Sequence, residues 1–247
     1  MRPAYAIALL ASTLFDHVVA APQISDWNPY ERINRNDSAL LIVDHQVGLL
    51  SIARDWDTTL FFSNIRGHAA IGKLFDLPVV ITTSAETGPN GPVPKEILDM
   101  YPEVKVVQRK GEINAWDSPE FRAAVRATGK KQFIIGGIVT DVCTAFLALS
   151  LREEGFSVFA NVEASATTTA LNRDTSNSRM QAAGVHLVTS FVVLGDLMRD
   201  WRNASPSVDK VVGWIQTYFP AYGVVARGHA SAILRNGTVL PGTEEWI

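Results

Sequence analysis

From residue 39 onward, short unbroken apolar runs alternate with longer stretches whose apolar positions recur at helical spacing. ALLIVD (39–44) is apolar up to its last residue, the pattern of a strand covered on both faces. TLFFSNIRGHAAIGKLF (59–75) places Leu60, Ile65, Ala69 and Leu74 near one face of a predicted helix. LPVVITT (77–83) predicts a second strand entered at proline, and VKVVQR (104–109) a third. SPEFRAAVRATG (118–129) predicts a helix with Ser118 as N-cap, Pro119 in its first position and Gly129 past its end. KQFIIGG (131–137) reads as a fourth strand, followed by a helix over 140–155 capped by Thr140 and stopped at Gly155. FSVFANVEA (156–164) and VHLVTS (185–190) complete six strands, with helices around 168–183 and near 191–201.

Apolar strands alternating with helices predict an α/β fold: a six-stranded parallel, doubly wound, three-layer sheet of strand order 3-2-1-4-5-6, over residues 36–205. Residues 206–247 stand outside it, with a short amphipathic helix expected at 207–219 and little periodicity over 227–247.

Composition narrows the class. With 247 residues, 47% hydrophobic, the chain can bury one sizeable core. A net charge of −3 with no basic cluster argues against nucleic acid as a partner. Past the first residues, no apolar run reaches the roughly 18 needed to cross a bilayer, so no membrane partner is expected once a leader is removed. Residues 1–21 read as that leader: Arg2, the apolar AYAIALLASTLF (4–15), then small residues in VVAAP (18–22) for cleavage after Ala20 or Ala21. Sequons at Asn36, Asn203 and Asn236 agree with export, so a secreted protein is expected.

The single cysteine, Cys143, cannot form an intrachain disulfide. Ligands of a doubly wound sheet bind beyond the strands' carboxyl ends, at the switch point between strands 1 and 4. Asp44 closes strand 1, and Cys143 falls in the first turn after strand 4. A thiol there meets the helix dipole and unpaired N–H groups, which predicts a pKa well below about 8.5. Asp44 can take its proton as general base. QRKGEINAWD (108–117) supplies a cation at the same edge, Arg109 or Lys110, able to hold the base ionised. Gln46, Glu86, Asn114 and Trp116 are candidate substrate-binding residues of the loops there, and His45 is either pocket lining or structural.

These strings resemble a known family. VDHQVGLLS, TTSAETGPNGP, NAWDSPEF, ATGKKQFIIGGIVTDVC and MQAAGVHLVTSFVVLGDLMRDWRN are similar to the isochorismatase-like cysteine hydrolases, and in particular to their YcaC-like branch, over about residues 36–204. The resemblance implies an Asp–Lys/Arg–Cys triad: Asp44, Cys143, and either Arg109, which the branch pattern favours, or Lys110, which fits the wider family. It also implies a non-proline cis peptide at Ile138–Val139, oxyanion donors at Val139 and Cys143, and a homo-oligomer. Nicotinamidases of this family hold a metal through an Asp-x-His stretch after strand 2. Here TTSAETGPNG has no His, and His17, His45, His68, His186 and His229 show no ligand spacing, so no metal or other cofactor is expected.

The expected activity is hydrolysis of a small amide, amidine or carbamoyl compound through a thioester-type intermediate. Two alternatives are an isochorismatase cleaving a vinyl ether and an exported binding or effector protein without catalysis.

Overall fold

The computed structural model of the chain describes residues 30–225, 227 and 228. Contacts divide the chain at residue 31 into two units. Of the first, only residues 30 and 31 are described, and neither lies in a helix or strand. The second carries every element named here. The expected leader (1–21), Asn236 and the tail beyond residue 228 lie outside the described residues.

Six strands, β1 (Ser38–Val43), β2 (Val79–Ser84), β3 (Val107–Arg109), β4 (Gln132–Gly137), β5 (Ser157–Asn161) and β6 (His186–Val188), form one sheet in the order β3-β2-β1-β4-β5-β6. Every pairing is parallel. The expected fold and strand order are therefore found. The switch point lies between β1 and β4, where Val43 pairs with Gly137.

Among the described residues the sheet is accompanied by α1 (Thr58–Leu74), α2 (Lys95–Leu98), α3 (Pro119–Ala127), α4 (Ala145–Glu153), α5 (Ala170–Ala182), α6 (Ser190–Met198) and α7 (Val208–Tyr218). Side chains alternate across a strand, so β1 feeds two cores. Leu40 and Ile42 join Phe61 and Ile65 of α1, Val193 and Leu197 of α6, and Val211 and Trp214 of α7. Ala39, Leu41 and Val43 join Phe121 of α3, Leu147 and Leu151 of α4, and Met180 of α5. All six residues of β1 are buried, which accounts for its unbroken apolar run. α7 is part of the first core: the Trp214 indole N–H donates to the Gly67 carbonyl of α1 at 3.0 Å.

Local signals act as read at α3, where Ser118 Oγ accepts from Phe121 N–H and Pro119 opens the helix. They fail at the helix after β4. Thr140–Thr144 form one π-type turn, in which Thr144 N–H reaches back five residues to the Val139 carbonyl at 3.2 Å, and the α-helix starts only at Ala145. Thr140 is therefore not an N-cap. Its hydroxyl is buried without a hydrogen-bond partner.

Candidate active site

The carboxyl ends of β1, β3 and β4 bring three sequence-predicted residues together. Asp44 follows β1 directly, in the left-handed region at φ 55°, a conformation that Asp tolerates better than most residues. Its N–H still donates to the Thr82 carbonyl of β2 at 3.0 Å, so the residue is held as if on the sheet while its carboxylate turns into the cleft.

Arg109 ends β3, opposite Ser84 of β2. Its side chain runs over β2 to β1, crossing two strand spacings of about 4.8 Å each. There Nη2 donates to Asp44 Oδ2 at 2.5 Å, and Nε lies 3.4 Å from the Thr83 carbonyl. Both side chains of this pair have 0% exposure. Lys110, one residue further, is exposed and makes no contact with Asp44. The cation beside the carboxylate is Arg109.

Cys143 sits in the π turn with 9% exposure, and its thiol is free. The Ile138–Val139 peptide that precedes the turn is cis. The Val139 N–H hydrogen-bonds to the Cys143 sulfur, and the thiol acts on the Asp44 carboxyl. Asp44 Oδ1 and Arg109 Nη1 are buried with no hydrogen-bond partner.

Electrostatics here overturn one expectation. Burial pushes the Asp44 carboxyl up to about 6, against the pull of Arg109 and of the thiol. Burial, and then the neighbouring Asp44 charge, push the Cys143 thiol above the ordinary cysteine range, with Val139 N–H and Arg109 opposing. The helix-dipole argument predicted a lowered thiol pKa. It fails because the sulfur is desolvated and faces a carboxylate, and both disfavour a second negative charge. Both groups are thus shifted toward their protonated forms.

The candidate binding residues fare differently. Gln46 is buried and spent on its own rim: its amide donates to the Ser84 carbonyl (3.1 Å) and the Gly91 carbonyl (2.5 Å) and accepts from Ser84 N–H (2.8 Å). Asn114 caps the 3-10 turn Ala115–Asp117 and donates to Ser150 Oγ at 2.9 Å. Trp116 packs edge-on against Phe121 and Phe156, with its indole N–H on Glu154 at 2.8 Å. These three side chains are engaged within the fold: Gln46 at the rim, Asn114 as a cap and Trp116 in packing. Glu86 stays half-buried on the loop after β2, where it accepts from Thr83 Oγ1 at 2.8 Å.

His45 is structural. Its Nε2 is 2.8 Å from the Ala164 carbonyl, and burial lowers its pKa to about 4, so the ring is neutral. Among the described residues no group of three or more His, Cys, Asp or Glu is placed to hold a metal ion. A groove of about 610 Å³ between α1 and α7, lined by Lys73, Met100, Lys210, Trp214 and Tyr218, contains none of the three site residues. Sequence reasoning passed over Ser165–Thr167, which runs beside the π turn. The one signal was the small polar string SATTT at the carboxyl end of β5.

A family model described as the isochorismatase domain matches residues 38–191. The probable hydrolase YcaC of Escherichia coli is 49% identical over 175 residues, covering 71% of this chain and 84% of that protein. The crystal structure of the E. coli YcaC gene product, an octameric hydrolase of unknown specificity, superposes with a TM-score of 0.79 at 44% identity, covering 83% of this chain and 98% of that one. YcaC from Pseudomonas aeruginosa, with hexane-2,5-diol and covalent acrylamide, gives a TM-score of 0.77 at 45% identity, covering 85% and 99%. The chain belongs to the isochorismatase family, in its YcaC-like branch.

Proposed function

We propose that this protein is a cysteine hydrolase of small amide, amidine or carbamoyl compounds, with Cys143 as nucleophile, Asp44 as general base and Arg109 as the cation that governs the base. The observation that carries the reading is the burial of Asp44 between one guanidinium and the one thiol of the chain. A carboxyl of pKa about 6 is ionised at neutral pH yet basic enough to accept a proton as the sulfur attacks.

In the first step the sulfur bonds to the carbonyl-type carbon, the thiol proton passes to Asp44, and the carbon's π electrons move to oxygen. The oxyanion lies against the N–H groups of Val139 and Cys143. Collapse expels the nitrogen, which takes the proton from Asp44 and leaves as ammonia or an amine. Asp44, ionised again, then deprotonates water that attacks the thioester, releasing the acid and returning the thiol. Because the thiol pKa is raised, no standing thiolate takes part; transfer to Asp44 accompanies attack.

Acrylamide is itself a small amide, and its covalent presence in the P. aeruginosa relative supports a pocket of that size and polarity beside a nucleophile. The octameric E. coli relative supports a homo-oligomer. The leader and the sequons support secretion; Asn36 and Asn203 are both exposed. No helix among the described residues is long and apolar enough to cross a membrane.

The test is ammonia release from a panel of small amides and carbamoyl compounds by the purified mature chain. At least one substrate turns over in the parent, and Cys143→Ala abolishes turnover with the fold retained. Full activity in Cys143→Ala ends the proposal.

A further inference from the structure

Thr167 stands at the centre of a polar bridge that the proposed chemistry does not use. It is fully buried, and each of its polar groups is engaged. Its N–H donates to Asp55 Oδ1 at 2.7 Å, on the loop after β1. Its hydroxyl donates to Asp141 Oδ1 at 2.5 Å, inside the π turn and two residues before Cys143. Its carbonyl accepts from the N–H groups of Arg54 (2.8 Å) and Asp55 (3.3 Å).

The two residues before it grip the same turn. Ser165 Oγ accepts from Gly137 N–H at 3.3 Å and lies 3.4 Å from the Thr144 hydroxyl. Ala166 bridges Ile138, and its carbonyl accepts from Thr140 N–H at 2.9 Å. Three consecutive residues thus hold the nucleophile segment at three successive points. A π turn is a rare, single-turn feature that neighbouring structure must sustain. Here that neighbour is an irregular strip whose last residue joins two carboxylates. Asn172 Nδ2 adds a second donor to Asp141 at 3.4 Å, and Arg173 lies 3.8 Å from the Asp55 carboxylate. Neither replaces the threonine: among the described residues, Thr167 is the one hydrogen-bonded to both acids.

We infer that Thr167 is a positioning residue: through Asp141 it holds the turn that presents Cys143 to Asp44, and through Asp55 it ties that turn to the loop after β1. The catalytic consequence rests on Cys143 being the nucleophile; the anchoring does not.

Thr167→Val keeps the shape and the main-chain bonds and removes only the hydroxyl donor. Thr167→Ser keeps the donor. Two readouts on the full-length protein separate positioning from general stability: hydrogen exchange of peptides covering residues 138–146 against those of β1 and β4, and the rate at which acrylamide adds to Cys143. In Thr167→Val, exchange in the turn rises about tenfold or more, the size of one hydrogen bond to a charged group. Exchange in the two strands stays at the parental level, and acrylamide addition slows by a similar factor. Thr167→Ser stays within about twofold of the parent on both, since it restores that bond. Asp141→Ala, cut from the half-exposed end of the bridge, gives the same local acceleration should the valine variant not fold. Unchanged exchange in the turn, or an equal rise in turn and strands, overturns the inference. Faster turn exchange in a protein whose parent never takes up acrylamide sinks the nucleophile reading and leaves the anchoring intact.

Discussion

Arg109 Nη2 donates to Asp44 Oδ2 across the second strand of the sheet, and neither side chain touches solvent. A pair buried this completely is sensitive to losing one member, because the other is left as an uncompensated charge. Arg109→Met is expected to cost about 3–5 kcal/mol at neutral pH and to abolish turnover. Lys110→Ala, one residue away on the exposed side, should change stability by no more than about 0.5 kcal/mol. Urea denaturation of both variants, with ammonia release, checks the contrast.

That contrast also marks the limit of what the residues alone could say. Adjacent positions at a strand end face opposite ways, so apart from the family resemblance Arg109 and Lys110 are distinguished by register, which comes from the pairing of Arg109 with Ser84. The strand order was legible because β1, β4 and β5 are apolar on both faces and connected by helices. The place of Asp44 and Cys143 followed from that order. The rim and capping bonds of Gln46 and Asn114 were not legible, because a polar loop side chain looks the same in sequence whether it faces a cavity or closes its own backbone. The thiol pKa misled because helix polarity can be read from sequence, whereas burial and the Asp44 contact cannot.

Asp44 makes stability depend on pH in a stated direction. Its carboxyl titrates at about 6 in the folded chain, against an ordinary 3.8. Between these values the folded chain holds a proton that the unfolded chain has lost, so the contribution of this group falls as pH rises through the window. Asp44→Asn lacks this titration. Its stability relative to the parent should therefore climb between pH about 4 and about 6, on top of a constant cost of leaving Arg109 unpaired. Thermal melts of both proteins across that range measure the trend; a flat or falling difference contradicts it.

Gln46 should register in stability. Gln46→Leu strands Ser84 N–H and the Gly91 carbonyl, while Asn90 still holds the Ser84 carbonyl, a loss of about 2 kcal/mol or more. If Gln46 served only to bind substrate, the variant would keep its denaturation midpoint and show a raised KM.

Gly137 is tested by its neighbours. A Cβ there would lie 2.9 Å from the Val43 carbonyl oxygen and 2.9 Å from Thr144 Oγ1, at the β1–β4 junction beneath the turn that carries Cys143. Gly137→Ala should cost about 1–3 kcal/mol through forced backbone shifts, with loss of turnover. Gly213→Ala in α7 meets nothing within 4 Å and should stabilise the protein by about 0.5–1 kcal/mol. Paired denaturation curves decide both.

The most direct measurement is the rate of covalent acrylamide addition, followed by intact mass from pH 5 to 9, in the parent, Cys143→Ala and Asp44→Asn. The parent should gain one adduct, at a rate that rises through pH about 6 as Asp44 ionises and then levels off. Cys143→Ala should gain none, and Asp44→Asn should react about 100-fold more slowly or less, the scale of a lost general base. Equal rates in the parent and Asp44→Asn would show that the carboxylate does not activate the thiol.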